Sequence, residues 1–266
     1  MIKKVRQGCF ETNSSSAHSI IVTKNDRPAV VKDWHIGDDE VTEDTEFIYV
    51  SSDGKLWLHN IEEGYGRYPF QFLTTFEEKL RYAMCEYLGY LYEDDPDFHR
   101  YYNLFTDIVH EVVPEFVDFE IDTKEVDNYL DADGNDIMRK DLIYTDWNSE
   151  KECPEYEYED KDGIRHKAIL DEENYWESPA IGTIDHQSAG MLKNFLKENN
   201  VSLKEFLTNK KYIIVIDGDE YNELEKLMKS GILDKNNITQ IYTTSDDDIE
   251  YQEWLKEQSD ENNNKA

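Results

Sequence analysis

The side chains best equipped for chemistry sit near the N-terminus, in Arg6-Gln7-Gly8-Cys9-Phe10-Glu11-Thr12-Asn13-Ser14-Ser15-Ser16-Ala17-His18-Ser19, just ahead of the β-branched run Ile20-Ile21-Val22. Consecutive Asn and Ser residues favour turns because their side chains bond to neighbouring backbone groups. Their short side chains also let amides approach an anion, so the run could form a concavity that receives phosphate. In that reading Asn13, Ser14, Ser15 and Ser16 hold the ligand and Arg6 neutralises its charge. Glu11 and His18 supply proton transfer. Cys9 would be a nucleophile if a neighbouring cation lowered its pKa, but nothing around it marks such a setting. The plain alternative is a capped loop that joins two strands.

A second polar run, Ile184-Asp185-His186-Gln187-Ser188, precedes a helical pattern carrying Leu192, Phe195 and Leu196. A helix start exposes amides and favours anions. Asp185 could orient His186 and leave its imidazole free as a base, with Ser188 as a cap or a ligand-binding hydroxyl. The plain alternative makes Asp185 the helix cap and His186 a solvated first-turn residue. A joint site requires the two runs to converge in space around a pocket.

The pattern Arg6-x-Gly8-x-Phe10-Glu11-Thr12-Asn13-Ser14-Ser15-Ser16-x-His18-Ser19 resembles the N-terminal signature of an uncharacterised family of bacteriophage and prophage proteins of Gram-positive bacteria. The Ile184-Asp185-His186-Gln187-Ser188 block resembles a second motif of that family, and the helix start Phe76-Glu77-Glu78-Lys79-Leu80-Arg81 extends the likeness. The resemblance implies a place for the site and a phage or prophage setting. It carries no activity or cofactor with it, so the cofactor stays unknown and enzyme status open.

Weaker candidates fall away on spacing. Asp131-Ala132-Asp133-Gly134-Asn135-Asp136 begins like a calcium loop, yet Gly134 stands at the fourth place and Leu142 where a bidentate Glu belongs, so a β-turn is the better reading. His18, His186, Glu11 and Asp185 have metal-ligating atoms but no HExxH-like spacing, so no metal site is assigned. Asp217-Gly218-Asp219 follows an apolar strand without any phosphate-binding glycine pattern.

The elements that would position these groups are readable from periodicity and punctuation. Ser19–Thr23 and Pro28–Val31 read as extended, an acidic loop runs from Asp38 to Glu46, and Phe47–Val50 pairs with Lys55–Leu58 across a turn at Ser52-Asp53-Gly54. Thr75-Phe76-Glu77-Glu78 is a capping box opening a helix with Phe76, Leu80, Ala83, Met84, Tyr87, Leu88 and Leu91 on its apolar face. Asp95-Pro96 opens a second helix, with Phe98, Tyr101, Tyr102, Phe105, Ile108, Val109 and Val112 inward, and the two should pack together. From about 116 to 176 hairpins return, with turns at Asp133-Gly134 and Asp162-Gly163. Ser202 caps a short helix, and Tyr212–Ile216 and Ile238–Tyr242 frame a C-terminal β-α-β unit. The expected fold class is α+β, a mixed sheet with packed helices. Residues 1–245 are expected to form a single domain with a hairpin-rich insertion at about 116–176, and 246–266 an acidic tail that is partly disordered.

Composition bounds the partners. The formal charge is −32, from 28 basic and 60 acidic residues. Phosphate backbones and anionic bilayers repel such a chain, which argues against direct nucleic-acid binding and against a membrane. Aromatics at 13% argue for a folded core despite that charge. Three widely spaced cysteines suggest neither a disulfide framework nor a zinc site, and a cytoplasmic location in the bacterial host is the default. Three functions remain open. One is a phage accessory enzyme, a transferase or hydrolase, binding a nucleotide or other phosphorylated small molecule. Another is a non-enzymatic acidic inhibitor or nucleic-acid mimic that binds a basic host protein. The third is a structural or assembly protein.

Overall fold

The computed structural model describes residues 18–24, 34–36, 48–58, 61–65, 71–149, 153–186, 188–216 and 237–243. In chain order these form β1 (His18–Thr23), β2 (Trp34–Ile36), β3 (Ile48–Val50), β4 (Lys55–Trp57), β5 (Gln71–Leu73), α1 (Phe76–Leu88) and α2 (Pro96–Val112). There follow β6 (Asp118–Glu120), β7 (Thr123–Leu130), β8 (Leu142–Asn148), β9 (Cys153–Glu159), β10 (Arg165–Lys167) and β11 (Ile169–Pro179), then α3 (Met191–Asn199), α4 (Leu203–Thr208), β12 (Tyr212–Ile216) and β13 (Ile238–Thr243). The fold is mixed α+β.

The helices begin where their capping chemistry says they should. Thr75 Oγ1 accepts from the Glu78 amide at 3.2 Å while Glu78 Oε2 accepts from the Thr75 amide at 2.9 Å, which closes the capping box of α1. Asp95 accepts from the Asp97 amide at 2.8 Å, with Pro96 in the first turn of α2. The two helices pack through aromatic edges, Tyr87 meeting Tyr101 at 5.0 Å and Phe105 at 5.7 Å between ring centroids. Ser202 caps α4 through the Glu205 amide at 3.1 Å.

One sheet runs β13-β1-β12-β5, with every neighbouring pair antiparallel. β12 and β13 therefore run in the same direction, as a β-α-β unit requires, but β1 is inserted between them; the connecting residues, including Asp217-Gly218-Asp219, lie outside the described residues. A second sheet, β2-β3-β4-β6, contains the expected hairpin, in which Gly54 adopts a φ of +85° and its amide donates to Ser51 O at 2.9 Å. Neither β2 nor β5 was legible as a strand, since each is three residues long and β5 is an edge held by pairing Leu73 with Ile214. The extended piece at 28–31, the acidic loop at 38–46 and the tail at 246–266 fall outside the described residues.

The middle region is a stem and a lobe. β7 pairs with β11 from Thr123↔Pro179 to Leu130↔Ile169, and β8, β9 and β10 form a separate three-stranded sheet beyond it. Gly134 and Gly163 take φ of +83° and +76° at its two turns. Asp131 binds the amides of Asp133 and Asn135, both at 2.9 Å, in a self-contained turn. Phe116 and Phe119 belong to the main hydrophobic core, which also draws on Ile20, Leu56, Leu80, Phe105, Phe195, Phe206 and Ile214. Among the described residues between 122 and 180, none joins that core.

α1 is buried on more than its apolar stripe. Lys79 is fully buried, and its Nζ donates to Phe206 O at 2.9 Å, Asn209 O at 2.9 Å and Tyr212 O at 3.4 Å. The first two carbonyls lie at and just past the C-terminal end of α4, where a cation is favoured, and the third belongs to the first residue of β12. Burial pulls the Lys79 pKa down to about 7. Lys79→Met keeps the stem and removes the donor head, leaving three carbonyls without their partner. It should cost about 2–3 kcal/mol in urea denaturation, and an unchanged midpoint would show that the contact is dispensable.

Candidate functional site

His18 opens β1, the strand that continues directly from the N-terminal polar run. Its backbone amide donates to Ser188 Oγ at 3.0 Å, and both residues are fully buried. The two polar runs, 170 residues apart, therefore meet. On the other side His18 Nδ1 shares a 2.8 Å hydrogen bond with the Tyr82 hydroxyl of α1. Tyr82 in turn packs against Tyr65, with ring centroids 5.1 Å apart. Burial holds the His18 pKa down at about 3 and pushes both phenols above their ordinary range. A neutral imidazole between a phenol and a closed core suits a positioning role better than exchange of protons with a substrate.

The loop that carries the second run is fastened backbone to backbone. Tyr65 N donates to Thr183 O at 2.8 Å, and Asp185 N donates to Tyr65 O at 2.8 Å. The Tyr90 hydroxyl donates to Ile184 O, and Gly182 N to Ile61 O at 2.8 Å. The approach is so close that a Cβ on Gly182 would sit 2.2 Å from Gly64 N and 2.4 Å from Gly64 Cα. A Cβ on Gly89, just past α1, would in turn sit 2.1 Å from Gly182 O. Glycine is required here by space.

This fastening sets Asp185 and His186 in opposite environments. The Asp185 side chain is 6% exposed and that of His186 74% exposed, with Oδ1 and Nδ1 3.7 Å apart. At 3.7 Å the pair is within ion-pair range but not hydrogen-bonded, so the carboxylate lies near the imidazole without fixing its orientation. The helix behind them does not serve as an anion site, contrary to the sequence expectation. The amides of Leu192 and Lys193 at the start of α3 already donate to Glu86, at 3.0 Å to Oε2 and 2.7 Å to Oε1. Glu86 is buried in α1, and burial raises its pKa against the pull of those two amides and of the Lys193 charge. The cap of α3 is thus Glu86, and not Asp185 or Ser188.

Of the residues singled out from sequence, His18 meets Ser188, and Asp185 and His186 precede Ser188 in the same loop. Arg6, Glu11, Asn13, Ser14, Ser15 and Ser16 lie outside the described residues, as does Cys9. Tyr65, Tyr82 and Glu86 were missed. A signal existed in α1, because Lys79, Tyr82 and Glu86 recur at helical spacing beside the apolar stripe and mark a second buried face. Cys85 on the same helix has its thiol pushed up to about 12 by burial, which leaves it inert. Among the described residues no group of three or more His, Cys, Asp and Glu side chains is placed to hold a metal ion.

The site thus belongs to a mixed α+β protein whose polar motifs are joined through the start of a central strand. No protein-family model, curated protein or solved structure matched the chain.

Two outcomes follow from this geometry. Because the His18 pKa is about 3 when folded and about 6.5 when free, the unfolded chain binds the extra proton between those values, and stability is lost as pH falls from 6.5 towards 3. The loss from this group should reach about 2 kcal/mol at pH 5, and His18→Asn should flatten that part of the stability profile. Gly182→Ala should destabilise by about 3 kcal/mol through overpacking against Gly64, measured by denaturation; a neutral result would mean the close approach relaxes freely.

Proposed function

We propose that this is a phage or prophage accessory protein that binds a nucleotide or other phosphorylated small molecule where the N-terminal polar run meets the Asp185–Ser188 loop. The observation that carries the reading is the bond from the His18 amide to Ser188 Oγ, which puts the end of one motif against the other. Asn13, Ser14, Ser15 and Ser16 would supply hydroxyls, an amide and backbone donors to the phosphate, and Arg6 its counter-charge. His186, exposed and beside Asp185, takes the proton-transfer role, with Glu11 as a second carboxylate. His18 moves from proton transfer to positioning, since it is closed off and held neutral. With the α3 amides occupied by Glu86, phosphate recognition falls to the N-terminal run itself.

A second reading is favoured by the surface of the middle region, where Tyr144, Trp147, Tyr175 and Trp176 stand exposed among carboxylates. A purely solubilising acidic surface does not need aromatic rings in the open. On this reading the protein binds a basic partner, and the contact weakens with salt.

A thermal-shift screen of nucleotides and phosphorylated metabolites tests the first reading. A ligand present at about 100 times its Kd should raise Tm by about 5–10 °C, and the shift should disappear in Ser15→Ala and in Arg6→Gln. His186→Ala should keep the shift and lose turnover of that ligand. If no phosphorylated compound raises Tm, or if the shift survives both binding-site variants, the phosphate-site reading falls.

A further inference from the structure

Tyr90 stands two residues past the end of α1, and its amphipathic side chain is turned the less usual way round. A surface tyrosine ordinarily packs its ring and leaves its hydroxyl in water. Here the hydroxyl is turned in, donating to Ile184 O in the loop that carries Asp185 and His186, while the residue stays 53% exposed, so water meets chiefly the ring. Burial of that hydroxyl, with the Asp185 carboxylate nearby, pushes the phenol above its ordinary range and keeps it a donor. We propose that the Tyr90 ring is the platform on which the base of a nucleoside phosphate stacks at the motif site. The inference rests on the phosphate-site reading and adds the class of ligand, a phosphate ester that carries a flat aromatic base.

The ring is fixed at both ends. Its backbone follows Gly89, where a Cβ would sit 2.1 Å from Gly182 O, so the end of α1 is seated on the motif loop with no side chain between them. The Leu91 amide closes the turn by donating to Leu88 O at 2.8 Å. At its tip the side chain is held by Ile184 O, two residues before His186, whose own side chain is 74% exposed. The loop then turns into Ser188, whose amide donates to Asp185 O at 2.9 Å and whose Oγ accepts from the His18 amide at 3.0 Å. Ring, imidazole and the end of the N-terminal run are therefore strung along one short, fastened segment. A ring held at two points loses little freedom when a ligand settles on it.

The charge of the chain gives such a platform its use. With a formal charge of −32 the general field opposes any phosphate ester, and local donors have to overcome it. Stacking of an aromatic base does not depend on that field, and every base has a π-face. The uncharged end of the ligand then contributes affinity where its charged end meets repulsion. A sugar phosphate without a base offers no such face. Preference among bases should follow stacking strength, purines ahead of pyrimidines.

The test is calorimetric titration of the full-length chain with two matched pairs, AMP against ribose 5-phosphate and ATP against inorganic tripolyphosphate. Within a pair that binds, the member with the base should be about tenfold tighter, and AMP and GMP should bind ahead of CMP and UMP. Tyr90→Leu should bring the members of the pair to within about twofold of each other while leaving the affinity for the base-free member unchanged. Tyr90→Phe keeps the ring and should preserve most of the preference. Equal affinities within a pair in the wild type, or a preference that survives Tyr90→Leu, would overturn the platform. A loss shared equally by both members in Tyr90→Leu would make Tyr90 a strap for the loop and overturn it too. In these three cases the phosphate-site reading stands, whereas no binding by any of these compounds would remove both.

Discussion

Two buried charges on α1 hold two other helices by their ends. Glu86 takes the amides at the N-terminus of α3, and Lys79 takes the carbonyls at the C-terminal end of α4. Each charge has the sign that the helix end prefers, negative against exposed N–H groups and positive against exposed C=O groups. Lys193 and Glu78 lend each a nearby opposite charge, but the groups they hydrogen-bond are backbone amides and carbonyls that would otherwise be buried unsatisfied. This makes α1 an axle with defined polar attachments, and it fixes where α3, α4 and the strands around them sit. Between the two charges Tyr82 reaches His18, so the helix that orders the core also fixes the start of the central strand.

That arrangement explains why the two polar runs meet. The first run enters β1 at His18, whose position is set by Tyr82, and the second precedes α3, whose position is set by Glu86. Tyr82 and Glu86 are one helical turn apart, so His18 and the start of α3 are held by adjacent turns of the same helix. The loop from Ile181 to Asp185 adds a third constraint, because Gly64, Gly89 and Gly182 allow backbones to touch where side chains would keep them apart. The outcome is a His186 that faces water from a rigid support.

Local rules carried much of the fold. The capping box at Thr75, the Asp95-Pro96 helix start, the Ser202 cap and the turns at Gly54, Gly134 and Gly163 depend on residues within a few positions of one another, and each was readable. What could not be read depends on partners far along the chain. β5 is a strand because β12 offers an edge, and Glu86 looks like an ordinary exposed helix acid until α3 is placed against it. Half of the candidate site was legible for a different reason: Asp185, His186 and Ser188 are dense in reactive groups, and density is a property of sequence. Their surroundings were less legible, since His18 is fully buried and no local pattern records how deeply one imidazole is enclosed.

The middle region follows another logic. Its stem and lobe contribute none of their described residues between 122 and 180 to the main core, so its aromatic side chains are not used to cement the body of the protein. Arg139 does that work at the junction, clasped by three tyrosine rings and bonded to both sides. A net charge of −32 spread evenly would repel anions and attract cations without preference for place.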